Sequence, residues 1–267
     1  MSDDEVLQRY HDHLKARKYS LCYYNYISVY LKYCQEHNID YLNINASMLT
    51  DFFNNNKYSS NSVNLHIKSG KHFGRFLGIP DEKNEWTKIK YVRTPKRKPE
   101  YISLETLEEL CKHLSEKLAL AFLFLYNTGI RREEFLTLKR QNIELNQSPC
   151  SIKVMGKGSR ERFIFFSEKY SPKLREKVIE YFKSEGEKTN GNAFNISLSQ
   201  LLYACRKLNK YSKGIHIHLH TLRHSFAKNM IRKNLPITYL MALLGHSNIS
   251  TTQMYACATD ELIKAYF

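Results

Sequence analysis

Apolar and aromatic side chains in the first eighty residues recur at intervals of three and four with polar turns between them, the spacing that lays one apolar stripe along each of several helices. It predicts a helix from Asp3 to about Arg17, a second over Ser20 to His37 with Ser20 as N-cap, a third over Ala46 to Asn56 and a fourth over Ser60 to Leu77. Gly78 and Pro80 punctuate the end of this four-helix unit. Beyond residue 100 the helical period continues. Ser103 caps a helix to about Leu114, another runs from Leu118 to Tyr126 and stops near Gly129, and a third extends from about Arg131 to near Arg140. The period then switches to two. CSIKVM (Cys150 to Met155) and RERFIFF (Arg160 to Phe166) alternate polar and apolar positions around the turn sequence GKGS, which predicts a β-hairpin carrying Lys157 at its tip. Helical spacing returns at Pro172 to Lys183, Ser197 to Tyr211, Thr221 to Lys233, Ile237 to Leu244 and Ser250 to about Ala265. The chain reads as mainly α with one small β-sheet.

A length of 267 residues corresponds to two domains at roughly 150 residues each. The pattern divides them as 1–85, an all-helical unit; 86–100, a linker; and 101–267, the mostly helical unit with the hairpin. Apolar residues at 42% and aromatics at 13% exclude wholesale disorder. Forty-one Lys and Arg against 26 Asp and Glu leave a net charge of +15, which attracts polyanions. Composition rich in Lys would produce such a total with no function attached, so its distribution carries more weight. From Lys188 to Thr259, seventy-two residues contain nine Lys or Arg and no carboxylate. A solvated face usually interleaves both signs, so this block reads as a surface facing phosphates. The linker WTKIKYVRTPKRKP holds six cations, Lys96, Arg97 and Lys98 among them, and suits an extended segment lying on a polyanion, although a basic linker is also simply solvated.

The six cysteines are scattered without a CxxC pair, which speaks against a zinc knuckle or a disulfide framework and fits a reducing cytoplasm. The acidic, amphipathic start MSDDEVLQRY is unlike a secretory signal, and no apolar run approaches the roughly 20 residues of a membrane span.

Three segments concentrate the chemistry: TGIRREEFLTL (Thr128 to Leu138), HLHTLRHSFA (His218 to Ala227) and LGHSNISTTQMYA (Leu244 to Ala256). Together with the hairpin sequence GKGSRERFIFF, they resemble the tyrosine recombinase family, the phage integrases and Xer-type enzymes. The likeness covers essentially the whole chain, and several separated motifs in the right order are far more specific than any one. It implies a helical core-binding domain and a catalytic domain forming a clamp around DNA. Carried over residue by residue, it implies that Arg131 and Arg223 hold the scissile phosphate with His220 and His246 assisting, that Lys157 is the general acid and that Tyr255 is the nucleophile.

Elementary chemistry agrees with those residue types. Attack on a phosphodiester adds negative charge to the non-bridging oxygens, and guanidinium forks meet such oxygens bidentately without deprotonating. A tyrosine hydroxyl, with a pKa near 10, needs surrounding positive charge and a base before it ionises readily. His220 and Arg223 are three apart at a helix start and share a face. Gly245 is placed to end its helix and leave His246 at a corner, with Tyr255 nine residues on. Lys157, on a glycine turn, can reach the departing 5′-oxygen. Glu134, three residues from Arg131, is expected to orient it or neighbouring groups from behind. Arg160 and Arg162 on the hairpin are expected near the DNA backbone, and Arg206, Lys207 and Lys210, with Lys213, on a helix lying against DNA.

Taken singly, each residue has a plainer reading. Arg131 with Arg132 suits a solvated helix face, Tyr255 is one of nineteen tyrosines that mostly pack, His220 suits a hydrogen-bonded structural histidine and Lys157 a loop charge. HIHLHTLRH also offers His216, His218, His220 and His224 as metal ligands, yet no carboxylate is nearby and covalent tyrosyl chemistry needs no metal or other cofactor. The expectation is therefore a site-specific recombinase that cleaves and rejoins double-stranded DNA through a 3′-phosphotyrosyl intermediate. The resemblance further implies a Holliday junction and a homotetramer on two DNA sites, as in integration, excision or dimer resolution. A type IB topoisomerase would use the same groups to relax DNA, and a non-catalytic DNA-binding module would use none of them.

Overall fold

A computed structural model describes residues 2–94, 100–155, 161–169, 171, 173–185 and 192–245. The chain divides into two compact units, Met1–Arg97 and Lys98–Phe267. Their described residues contain no helix long and apolar enough to cross a membrane.

In the first unit, α1 (Asp3–Ala16) opens on a capping box: Ser2 Oγ accepts from Glu5 N at 3.3 Å while Glu5 Oε2 accepts from Ser2 N at 2.9 Å. The second helix, α2 (Cys22–Glu36), starts later than its apolar period suggests. Ser20 is not its N-cap. Leu21 holds that position with helical angles and no side-chain cap, because Ser20 Oγ turns to the nearby Cys22, whose N–H it accepts at 3.4 Å. α3 (Ala46–Asn56) and α4 (Ser60–Phe76) begin at Asn45 and Ser59, each accepting a backbone N–H three residues ahead.

A short helix, α5 (Glu85–Lys88), follows where the sequence suggests an extended basic linker from Trp86 onward. Trp86 is buried against Tyr30 and Phe53, and a Cβ placed on Gly70 would lie 2.0 Å from its ring, so α4 admits the indole only where it has no side chain. Asn64 also grips Val92 from both sides, donating to its carbonyl at 2.8 Å and accepting its N–H at 2.7 Å. Trp86 is thus packed into the first unit rather than lying in an extended linker, whereas Tyr91 and Val92 are exposed and belong to no helix or strand. Lys96, Arg97 and Lys98 lie outside the described residues.

The second unit is built around α7 (Glu116–Thr128), buried continuously from Leu120 to Thr128 and packed against α6 (Leu104–Cys111), α9 (Leu174–Glu185), α10 (Leu198–Asn209) and α11 (Leu219–Arg232). After α7 come α8 (Arg132–Thr137), a 3₁₀ turn (Arg140–Asn142) and an antiparallel sheet of β1 (Ile143–Glu144), β2 (Cys150–Met155) and β3 (Glu161–Phe166) in that order. The hairpin pairs Ile152 with Ile164 and Met155 with Glu161; the two-residue β1, which adds Ile143 opposite Ile152, carries too little pattern to read from sequence. The helix expected as far as Arg140 stops at Thr137, because Leu138 is extended, buried and engaged through its carbonyl by the N–H of Ala193. The last described helix is α12 (Ile237–Leu244), ending at Gly245; the helix expected from Ser250 lies outside the described residues.

Candidate active site

Arg131 stands at the N-cap of α8, and its local geometry follows from Glu134 three residues on. The Arg131 backbone N–H donates to Glu134 Oε2 at 2.9 Å and its guanidinium Nη1 donates to Oε1 at 3.0 Å. The same buried carboxylate receives a second guanidinium from β3: Arg162 Nη1 reaches Oε1 at 2.6 Å and Nη2 reaches Oε2 at 2.8 Å. Burial pushes the Glu134 carboxyl up, but hydrogen bonds from Arg162 and from the Arg131 backbone and side chain outweigh it and hold the group below the usual carboxylate range.

A third guanidinium comes from α11. Arg223 is 8% exposed; its Nη1 donates to the carbonyl of Gly129 and its Nη2 to that of Leu244. Burial, then the positive charges of Arg131 and Arg162, push its pKa down to about 10, with Glu134 opposing. Arg223 therefore stays a cation at neutral pH.

These arginines converge on one helix end. Arg162 Nε donates to Leu243 O at 2.9 Å, Arg223 to Leu244 O and Arg131 Nη2 to Gly245 O, so three successive carbonyls each receive a different guanidinium. The last carbonyls of a helix lack partners inside it and carry the negative end of its dipole, which is why cations gather there. Gly245 makes the approach possible. It adopts the left-handed region at φ +58°, and an added Cβ would lie 3.1 Å from Arg162 Cδ and 3.2 Å from Arg131 Nη1. Three guanidiniums against one carboxylate leave two positive charges, a surplus suited to a phosphate gaining negative charge.

His220 is exposed at the second residue of α11, one turn before Arg223. Partial burial and then the cationic neighbourhood of His224, Arg132, Arg223 and His218 hold its pKa below the ordinary imidazole value. An uncharged imidazole offers one donor and one acceptor nitrogen, as a proton relay requires. The rings of His216 and His218 stack at 4.6 Å. Among the described residues, no three His, Cys, Asp or Glu side chains gather as a metal site.

The structure thus brings Arg131, Arg223, Glu134 and Arg162 together and leaves His220 on the face that carries Arg223. Lys157, Arg160, His246 and Tyr255 lie outside the described residues. Arg162 is a correction. Expected beside a DNA backbone, its side chain is 13% exposed and is bound through three donor contacts to Glu134 and Leu243. The signal was present in the hairpin period: Arg162 shares a strand face with buried Ile164 and Phe166. The carbonyls of Gly129, Leu243 and Leu244 carried no sequence signal at all.

On α10, Leu201, Ala204, Cys205 and Leu208 pack inward while Arg206 and Lys210 are exposed and Lys207 is half-buried. Leu202, whose spacing suggests packing with that group, is instead exposed, as is Tyr203.

Comparison with known proteins adds lineage to this geometry. Residues 100–261 match the model of the phage integrase family. A tyrosine recombinase of Pseudothermotoga lettingae is 27% identical, covering 97% of this chain and 95% of its own length. Tyrosine recombinase XerA of Pyrococcus horikoshii is 30% identical over 78% of this chain and 73% of its own. Among solved structures, a lambda integrase tetramer bound to a Holliday junction superposes with a TM-score of 0.67 at 15% identity, covering 93% of this chain and 78% of that one, a likeness of fold.

Proposed function

This chain belongs to the phage integrase family, the tyrosine recombinases, and from that premise we propose that it cuts and rejoins double-stranded DNA at specific sites through a 3′-phosphotyrosyl intermediate. One observation carries the reading: Arg131 and Arg223, distant in sequence, are both fastened to the carbonyls that end α12, under a surplus of positive charge.

In this reading, the two guanidiniums bind the non-bridging oxygens of one phosphate. The Tyr255 oxygen attacks phosphorus, losing its proton toward a nearby base, and the bond to the 5′-oxygen breaks. Lys157 gives that oxygen a proton, while His220 and His246 hydrogen-bond the phosphoryl group and assist proton movement. The phosphotyrosyl ester preserves the bond energy, so a 5′-hydroxyl from the partner strand reverses the step and reseals the DNA without a nucleotide cofactor. Arg131 and Arg223 act mainly on charge that grows during the reaction, so their effect falls on rate more than on affinity.

Four copies on two DNA sites, acting in the cytoplasm through a Holliday junction, complete the proposal. Residues 1–85 serve as a core-binding domain, Lys96, Arg97 and Lys98 as a basic strap, residues 101–267 as the catalytic domain, and Arg206, Lys207 and Lys210 as cations on the duplex. The test is a suicide duplex nicked beside the scissile phosphate. The wild type should accumulate a covalent protein–DNA adduct and Tyr255→Phe none, at unchanged DNA affinity. An adduct that survives Tyr255→Phe would overturn the assignment. Exchange between two sites, as opposed to relaxation of supercoils alone, separates recombination from topoisomerase action.

A further inference from the structure

Resting on that reading, the geometry points to Arg162 as a positioning residue: its fork holds the Glu134 carboxylate, and through it Arg131, in register with the phosphate-binding site. Glu134 has two oxygens and both are shared. Oε1 receives Arg131 Nη1 and Arg162 Nη1, while Oε2 receives the Arg131 backbone N–H and Arg162 Nη2. A bidentate guanidinium fixes the carboxylate plane, and a fixed plane fixes the direction from which Arg131 is held. The third donor of Arg162 ties the same unit to Leu243, one residue before the carbonyl that Arg223 holds and two before the one that Arg131 holds. β3, α8 and the end of α12 therefore share one charged joint.

The charged groups facing Glu134 are Arg131 from the start of α8, Arg162 from β3 and Arg223 from α11. Without Arg162, burial favours the neutral acid more strongly. A protonated Glu134 is a weaker acceptor for the Arg131 guanidinium, which then keeps the Gly245 carbonyl as its one full-strength anchor among these contacts. The rival role, a contact with the DNA backbone, conflicts with the inward aim and small exposure of this side chain.

The two roles part in measurement. Arg162→Gln in the full chain should slow single-turnover cleavage of the suicide duplex about 10- to 100-fold. Its Kd for the uncut duplex and the dependence of that Kd on salt should match the wild type. The pH at which cleavage fails on the acid side should also move up, as Glu134 protonates earlier. Arg162→Lys, which keeps the charge without the fork, should recover part of the rate and most of the wild-type pH profile. A salt slope lowered by about one, with affinity lost in step, would make Arg162 a phosphate contact and overturn the inference. So would wild-type cleavage by Arg162→Gln. If that variant shows no cooperative thermal transition, Arg162→Lys decides. Slower cleavage at unchanged affinity then supports the role, and a wild-type rate overturns it. Failure of the wild type itself to form an adduct would instead sink the recombinase reading.

Discussion

Around Trp86 the first unit packs neutral rings against one another, whereas around Glu134 the second unit packs charges against carbonyls, and both clusters are buried. Tyr30 meets the Trp86 indole edge-on at 5.0 Å and 81°, while Phe52 and the histidine His66 stand edge to face at 5.0 Å. Shape decides that cluster, since close-packed interiors resist changes of volume. In the other cluster, Arg131, Arg162 and Arg223 are fixed by the direction of single N–H bonds. Donor number and direction decide there, and a change of volume at constant charge still costs function. The neutral cluster stabilises a fold; the charged one stabilises a charge that exists only during reaction.

The largest expected effect removes the centre of the neutral cluster. Trp86→Ala should destabilise the first unit by about 3–5 kcal/mol, as deletion of a buried indole does, read as the loss or early onset of the first unfolding transition by circular dichroism. A midpoint within error of the wild type would mean the rings around Trp86 close without it and would end the contrast. Trp86 is also the chain's only tryptophan. Its fluorescence in the wild type therefore reports the first unit selectively.

Next in size is Arg223→Ala, which removes donors to Gly129 and Leu244 and one cation from the proposed phosphate site. Single-turnover cleavage should fall about 10²- to 10³-fold, some 3–4 kcal/mol of transition-state stabilisation, while DNA affinity changes less than about tenfold. The fluorescence-monitored transition of Trp86 should not move. Equal losses in affinity and rate would remove the distinction between binding and chemistry.

The two clusters also differ in how much the sequence discloses. Periodicity places α3 and α12 to the residue because each has an apolar stripe bounded by cap residues, Asn45 before one and Gly245 after the other. Motif order brings Arg131, Glu134 and Arg223 forward, and the structure adds their common meeting point. For Arg162, a hairpin arginine in a basic chain suggests phosphate, although its parity with Ile164 and Phe166 argues inward. The basic flanks of Trp86 suggest a linker, and a tertiary contact with Gly70 outweighs that local signal. The carbonyl partners stayed hidden for a more basic reason: a backbone acceptor has no side-chain identity, so only the fold reveals which carbonyls a guanidinium meets.

The smallest effect tests whether the neutral cluster is in fact neutral. His66 is 1% exposed, and burial lowers its pKa from the ordinary 6.5 to about 4, opposed by a hydrogen bond with the Tyr26 backbone. The unfolded chain therefore takes up the proton near pH 6.5, while the folded one resists until about pH 4. Stability linked to His66 is present in full above the unfolded pKa and is lost as pH falls between those values, by at most about 3 kcal/mol. Urea unfolding followed by Trp86 fluorescence should accordingly show a declining midpoint from pH 7 to pH 4. His66→Phe should flatten the decline, since Phe puts an uncharged ring in the same aromatic surroundings. If the slope persists in His66→Phe, the acid sensitivity belongs to other groups, and the aromatic cluster holds a charge after all.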